Sequence, residues 1–234
     1  MCMQDKIIES LGQFKPYSIF MYGSRGRGDN KPDSDYEIGV IFEDYKYIQR
    51  SIIHQQIKFE SVRIYPFKLS EIQRGVLDTP FQNSIYLREL IEGGKTIQGE
   101  KVIESLKPVK ITTLDLIQRI SFDIGCSLAS LLSNRSGDTA TADEEFSKSC
   151  LFGLRSLIIL KLGKFVCGYD EIYKLRNEVL GSSEFLNVVE AAYSLREGSR
   201  GVKSDIIFEN ISFLDFVEHE IMDAYNRDGV TELA

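Results

Sequence analysis

The sequence has little of the chemistry that supports a zinc-binding, disulfide-rich or membrane protein. Its 234 residues include two histidines and four cysteines without a Cys-x-x-Cys pair, so we expect no structural zinc and interpret the thiols as reduced. No apolar run approaches the roughly 18 residues that span a bilayer. Asp5 lies near the start, where no uninterrupted apolar segment follows, and this argues against a signal peptide. We therefore expect a cytoplasmic protein without a membrane partner.

Charge is distributed unequally between the two halves of the chain. Residues 1–108 carry 15 basic and 15 acidic side chains, whereas residues 109–234 carry 13 and 20, which accounts for the whole net charge of −7. An acidic surface repels the phosphate backbone of nucleic acid and favours a cationic or neutral partner. A solvated acidic helical surface explains the same count, so both interpretations stay open.

The pattern of apolar residues changes near residue 110, which predicts an α+β fold made of two domains. Residues 1–108 alternate short apolar runs with turn residues, as is typical of an α/β domain with a mixed sheet. Residues 109–234 show helical periodicity, which predicts an all-α helical bundle. The predicted strands are 17–22, 36–42 and 60–67, and the predicted helices of the first domain are 4–14, 51–59 and 79–94.

Two details of the helical half can be tested. In residues 112–134, steps of three and four predict a helix with one buried apolar face, formed by Leu114, Ile117, Ile120, Ile124, Leu128 and Leu131. The sequence TADE at 141–144 is typical of a capping box, in which Thr141 and Glu144 satisfy each other's backbone amides. It predicts the start of a long helix that ends at Gly163.

The strongest candidate site lies in YGSRGRGDNKPDSDYEIGVIF, residues 22–42. On a strand, Asp35 and Glu37 share one face and the apolar residues that alternate with them share the other. Two carboxylates about 6.6 Å apart repel by roughly 2.5 kcal/mol at an effective dielectric constant near 20. A divalent cation between them would reverse that sign, so both are predicted metal ligands.

The glycine-rich segment before this strand fits a phosphate. Glycine allows backbone amides to approach a ligand, and a helix that starts at Gly23 would direct free N–H groups at an anion. Ser24 adds a hydroxyl group and Arg27 a bidentate clamp. A polar hairpin loop is the alternative, but Gly-Ser after a strand, followed by Ser-Asp-x-Glu at the next strand, favours phosphate and metal chemistry.

These motifs resemble a known family. GSRGRG followed by SDYEIGV is similar to the nucleotidyltransferase signature of the polymerase-beta superfamily, and the Asp-x-Glu form is closest to the kanamycin nucleotidyltransferase type of aminoglycoside-modifying enzyme. The resemblance implies that Gly23, Ser24 and Arg27 bind the triphosphate and that Asp35 and Glu37 bind Mg²⁺. It also implies ATP or another nucleoside triphosphate as co-substrate, a helical domain at residues 109–234 that serves substrate binding or dimerisation, and a homodimer that completes each site.

Two further site residues are implied by the same resemblance. The third acidic ligand of the family lies on a later strand, where this sequence offers Glu60 as the favoured candidate and Arg63 as the competing occupant. The general base of the family lies in a Phe-acidic dipeptide on the first long helix of the second domain, which matches Asp123. An ion pair between Asp123 and Arg119, four residues away, is the alternative interpretation. Ser127 stands where the family carries a phosphate-binding lysine.

The leading hypothesis is therefore the Mg²⁺-dependent transfer of a nucleoside monophosphate to a hydroxyl group of a small acceptor. The acidic second half favours a cationic, aminoglycoside-like acceptor and disfavours nucleic acid. Two alternatives remain: a nucleotide-binding or antitoxin-type module that has lost catalysis, and a nucleotidyltransferase that modifies a protein.

Overall fold

The computed structural model describes residues 2–32, 34–77 and 83–234 of the chain. It divides into two compact units, unit 1 (Met1–Val109) and unit 2 (Lys110–Ala234). Unit 1 contains a mixed sheet with helices, and the regular elements of unit 2 are helices. The predicted α+β class is thereby confirmed.

The sheet of unit 1 has four strands in the order β3-β2-β1-β4. β1 is antiparallel to both of its neighbours, whereas β2 and β3 are parallel. The first three strands correspond to the predicted ones, and β4 was not predicted, because KTIQG holds one large apolar residue. The strands are β1 (Ser18–Tyr22), β2 (Tyr36–Phe42), β3 (Val62–Lys68) and β4 (Lys95–Gly99).

Short helices connect these strands. The predicted helices at 4–14 and 51–59 are present with shorter bounds, and the predicted helix at 79–94 begins at Asn83, since residues 79–82 lie outside the described residues. The helices are α1 (Met3–Gly12), α2 (Gly23–Arg27), α3 (Arg50–Gln56), α4 (Leu69–Arg74), α5 (Asn83–Gly93) and α6 (Val102–Ser105), with a 3₁₀ turn at Asp44–Lys46.

Each face of the sheet covers its own apolar core. The face that carries Ile38, Val40 and Phe42 of β2 packs against α1 and α3 through Ile7, Leu11 and Ile53. The opposite face buries Phe20, Ile41 and Phe67 against residues of α4, α5 and α6. Because side chains alternate along a strand, the second face is also the one that carries Glu37. The sequence assigned the apolar face of β2 correctly.

Unit 2 is built from six helices. Helices α7 (Thr113–Ser136) and α12 (Ser204–Asp228) are antiparallel, since Asn134 near the end of α7 contacts Ser204 at the start of α12, and Thr113 contacts Gly229 at the opposite ends. The helices are α7 (Thr113–Ser136), α8 (Thr139–Leu162), α9 (Tyr169–Lys174), α10 (Arg176–Leu180), α11 (Leu186–Arg196) and α12 (Ser204–Asp228). None of the helices in the described ranges is long and apolar enough to cross a bilayer.

The predicted buried face of α7 is wrong. Leu114 and Leu128 are exposed, and only Ile120 and Leu131 of the six predicted positions are buried. The helix is rotated so that a polar row faces the bundle instead. Its members are Arg119, Asp123, Ser127 and Ser130, all of them buried. Hydrogen bonds within the bundle make this possible, for example from Asn210 to both Ser127 and Ser149 at 3.0 Å.

The predicted capping box of α8 is also wrong, although the long helix exists. The helix begins two residues earlier, and its N-cap is Asp138, whose carboxylate accepts a hydrogen bond from the Thr141 amide at 3.1 Å. Glu144 instead pairs with Lys148 one turn later. Gly163 ends the helix in a left-handed conformation, as predicted.

Candidate active site

The turn from β1 into α2 brings the two halves of the sequence motif together. Gly23 starts α2 with a φ of +65°, a conformation that glycine adopts without strain. A Cβ atom added there would overlap the carboxylate of Glu37, far inside the closest approach that real Cβ atoms show. Glu37 is the β-sheet partner of Tyr22, the residue before this turn. The carboxylate therefore lies directly against the start of α2.

Asp35 and Arg63 form the outer edge of the same site. Arg63 is the partner of Glu37 in the parallel pairing of β2 with β3. Its Nε donates to Oδ2 of Asp35 at 3.2 Å, and both side chains are about half exposed. Asp35 and Glu37 thus share one face of the sheet, as the sequence predicted, with a guanidinium beside them.

Glu60 does not lie on β3, although the sequence predicted it at a strand position. It lies in the exposed turn that precedes β3, whereas Arg63 is the residue inside the strand. Within residues 2–32, 34–77 and 83–234, no group of three or more histidine, cysteine, aspartate or glutamate side chains is arranged to hold a metal ion. Asp35 and Glu37 are linked through Arg63, which pairs with Glu37 and contacts Asp35, and the role of Glu60 stays a prediction.

Ser24 and Arg27 lie on α2, next to Gly23. The Ser24 carbonyl accepts hydrogen bonds from the amides of Gly28 and Asp29, which closes the short helix. The Nε of Arg27 donates to Asp29 at 3.2 Å in a partly exposed ion pair. Such a pair contributes little free energy, so a phosphate could displace the carboxylate at small cost.

A structural role of Arg25 was missed at the level of sequence. Its guanidinium donates to the carbonyl groups of Ser34 at 2.9 Å and Pro32 at 3.2 Å. It also lies 3.9 Å from the centre of the Tyr36 ring. Arg25 therefore ties α2 to the segment that leads into Asp35. Asp33, in the middle of this segment, lies outside the described residues.

A group of tyrosines next to Glu37 was also missed. The hydroxyl groups of Tyr22 and Tyr86 lie 3.2 Å apart, and the ring of Tyr65 lies 6.1 Å from that of Tyr22. Burial raises the pKa of Tyr22 well above its ordinary value, with a further contribution from the Glu37 charge. Burial likewise raises the pKa of Tyr86. These phenols stay protonated at neutral pH and form an aromatic wall beside the carboxylate.

Asp123, the predicted general base, is buried within unit 2. Its side chain is 1 % exposed, and both carboxylate oxygens accept hydrogen bonds from Arg119, at 2.9 and 2.8 Å. The alternative interpretation from the sequence, an ion pair four residues apart, describes this contact, and the pair is buried rather than on the surface. The Arg119 guanidinium also lies 4.4 Å from the centre of the Phe152 ring. Asp123 is thus held by a buried guanidinium on its own helix.

The replacement of lysine by serine at position 127 has a local explanation. Ser127 is fully buried and its hydroxyl accepts a hydrogen bond from Asn210. A lysine at this position would bring an ammonium group into a packed bundle, and burying such a charge without a partner is costly. A small hydroxyl side chain therefore fits this buried position, where a lysine would not.

Comparisons with known proteins show the family and the fold of the chain. A protein-family model described as a nucleotidyltransferase domain matches residues 4–122. No curated protein sequence gives a significant match. Among solved structures, the chain resembles spectinomycin adenyltransferase AAD(9) from Enterococcus faecialis, crystallised with ATP and spectinomycin. The identity is 15 %, the TM-score is 0.63, and the match covers 93 % of this chain and 97 % of that one, which establishes a common fold.

Proposed function

Since the chain belongs to the nucleotidyltransferase domain family, we propose that it transfers a nucleoside monophosphate from a nucleoside triphosphate to a hydroxyl group of a small acceptor. The observation that carries this proposal is the contact between the Glu37 carboxylate and the glycine that starts α2. It places a candidate metal ligand beside the backbone amides that would bind phosphate.

The donor set of the site fits Mg²⁺. This ion is commonly held by one or two carboxylates together with the phosphates of the substrate, rather than by a complete protein cage. Glu37 on β2 and Asp35, two residues earlier and just outside the strand, would supply those two carboxylates, and the Glu37 carboxylate lies against Gly23. When bound, the ion neutralises charge on the triphosphate. ATP is the nucleotide we propose.

The residues of α2 would position the phosphates. The amides at Gly23 and Ser24 and the Ser24 hydroxyl provide donors, and Arg27 provides a planar guanidinium once it leaves Asp29. Transfer of a phosphoryl-type group depends mainly on positioning and charge stabilisation. Tyr22 and Tyr86, which lie beside the Glu37 carboxylate, would exclude water from that side of the bound phosphates.

We further propose a cationic, aminoglycoside-like acceptor. Residues 109–234 carry the whole net charge of −7, so a cationic molecule would be attracted and a nucleic acid repelled. All four cysteines are free thiols, which suits a reaction in the cytoplasm, where the triphosphate is available.

The proposal is tested by incubating the protein with [α-³²P]ATP, Mg²⁺ and a panel of amino sugars and aminocyclitols. We expect labelled product with the wild type and a loss of at least about a hundredfold in Glu37→Gln, because a charge-stabilising group at the reacting phosphate is removed. Glu43→Gln makes the same chemical change at an exposed position after β2 and should keep full activity. Equal product from wild type and Glu37→Gln would refute the proposal.

Binding of a nucleotide without transfer is the second candidate function. It is favoured by two specific contacts, between Arg119 and Asp123 and between Arg63 and Asp35, since each occupies a carboxylate that the reaction would need. Mg²⁺-dependent ATP binding without product on any acceptor, including proteins of a crude extract, would support this candidate.

A further inference from the structure

Arg63 places a permanent positive charge inside the candidate site. Parallel pairing with β2 sets it directly beside Glu37, and its Nε reaches Asp35 at 3.2 Å. The polar end of this sheet face therefore holds two carboxylates and one guanidinium.

The combined charge of the two carboxylates and the guanidinium suits one divalent ion rather than two. Sites that hold two divalent ions about 4 Å apart require acidic ligands to offset their combined charge, and no third carboxylate joins Asp35 and Glu37 in the part of the chain that the structure describes. A second divalent ion at this edge would also meet the guanidinium at close range and be repelled by it.

We propose that Arg63 supplies the charge that a second divalent ion would otherwise supply, so that the site takes a single Mg²⁺ and Arg63 contacts a phosphate of the bound nucleotide. This inference rests on the proposed function. Arginine matches phosphate oxygens with a planar, bidentate fork. Arg63 is also free to turn, because its side chain is 56 % exposed and its ion pair with Asp35 is of the exposed, weak kind.

The proposal predicts opposite effects of one substitution on two ligands. In Arg63→Gln, Mn²⁺ alone should bind about tenfold more tightly, because no guanidinium competes for Asp35, whereas a nucleotide should bind about tenfold more weakly, because a charge-assisted contact is lost. Arg63→Lys should keep the nucleotide affinity within a few-fold. If Arg63 had only a structural role, Arg63→Gln would bind both Mn²⁺ and the nucleotide more weakly.

The number of bound ions gives a second measurement. Mn²⁺ is counted by electron paramagnetic resonance on the full chain with α,β-methylene ATP, and nucleotide affinity is measured by calorimetry. We expect one Mn²⁺ per chain in the wild type and two in Arg63→Glu, which adds a carboxylate at the same strand position. Arg74→Gln, the same change on the exposed side of α4, should match the wild type.

Each outcome decides between the two proposals. Two Mn²⁺ ions in the wild type, or unchanged affinities in Arg63→Gln, would overturn the role of Arg63 and leave the proposed function standing. A wild type that binds neither Mn²⁺ nor the nucleotide analogue would overturn the proposed function and this inference with it. Thermal melting of each variant verifies that the fold is retained.

Discussion

At the scale of single residues, Gly23 meets two separate constraints. Its φ of +65° disfavours a side chain, and its hydrogen atoms face the Glu37 carboxylate. Gly28, five residues later, has a comparable φ of +84° but open space around the position of a Cβ. The two glycines therefore allow backbone strain to be separated from displacement of the carboxylate.

We predict that Gly23→Ala and Gly28→Ala lower the free energy of unfolding by a similar amount, about 1–2 kcal/mol, through strain in the left-handed region. Only Gly23→Ala should also lower the affinity for Mn²⁺ and nucleotide, by more than about tenfold, since it pushes Glu37 away. Denaturant titration and calorimetry measure the two effects. Equal nucleotide affinities in both variants would argue against a binding role of Glu37.

A second prediction concerns Tyr22 at high pH. Burial raises the pKa of Tyr22 above the value of an unfolded tyrosine, so the folded state holds the phenolic proton more tightly. This stabilisation is fully present below about pH 10 and is lost as pH rises from there toward the folded pKa. Tyr22→Phe should therefore lose less stability between pH 9 and 11 than the wild type does.

The control for this experiment is Tyr45→Phe, because Tyr45 is highly exposed. Its alkaline unfolding curve should follow that of the wild type. An identical pH dependence for wild type and Tyr22→Phe would show that other groups cause the alkaline loss.

Sequence reasoning reached part of the site at this scale. Asp35 and Glu37 could be placed on one face because a strand has a period of two, which needs no knowledge of its neighbours. The choice between Glu60 and Arg63 depended on the register of β3 against β2. Register is set by pairing between distant segments, and one residue of shift moves every side chain to the other face.

At the scale of elements, the apolar periodicity of α7 correctly predicted a helix, but it did not predict which face of that helix is buried. Regular spacing of apolar residues was real, but the face packed in the bundle is the polar row that contains Arg119 and Asp123. Buried polar groups are tolerated when their partners are present, and the partners of Ser127 and Ser130 are Asn210 of α12 and the Ala142 carbonyl of α8, far away in sequence. No local pattern in α7 could have revealed them.

This arrangement predicts a large cost for breaking the Arg119–Asp123 pair. In Asp123→Asn the guanidinium loses its buried counter-charge, and such losses typically cost about 3–5 kcal/mol. Glu144→Gln breaks a pair of the same spacing on the exposed side of α8 and should cost less than about 0.5 kcal/mol. Urea unfolding of both variants measures the difference.

The same variant tests the general-base hypothesis. If Asp123→Asn keeps its unfolding midpoint but loses nucleotidyl transfer, Asp123 acts on the acceptor. If stability falls and the turnover of the folded fraction is retained, the residue holds the bundle together and the proton goes elsewhere.

At the scale of the whole molecule, the apolar stripe of α7 is left on the surface. Leu128 and Leu132 are 48 % and 65 % exposed, and Leu114 lies about four and five turns before them on the same stripe. Two such helices could pack antiparallel around the small residues Ser121 and Gly125, with leucines at both ends. We predict that the homodimer expected from the sequence forms through this stripe.

We predict a dimer of the 26.6 kDa chain that becomes a monomer when Leu128→Glu and Leu132→Glu are combined. Light scattering after gel filtration measures the mass. Val76→Glu with Val230→Glu introduces the same charges at other exposed apolar positions and should leave the dimer intact. A wild type of monomer mass would contradict the proposal.

The position of β1 inside the sheet has a consequence for synthesis of the protein. β1 pairs with β2 on one side and with β4 on the other, and residues 23–94 separate it from β4. During synthesis on the ribosome, the apolar segment SIFMY therefore lacks its β4 partner until those residues have been made, at about 5–20 residues per second. Exposed apolar edges invite pairing with other chains. Nascent unit 1 should accordingly depend on chaperone protection until β4 emerges.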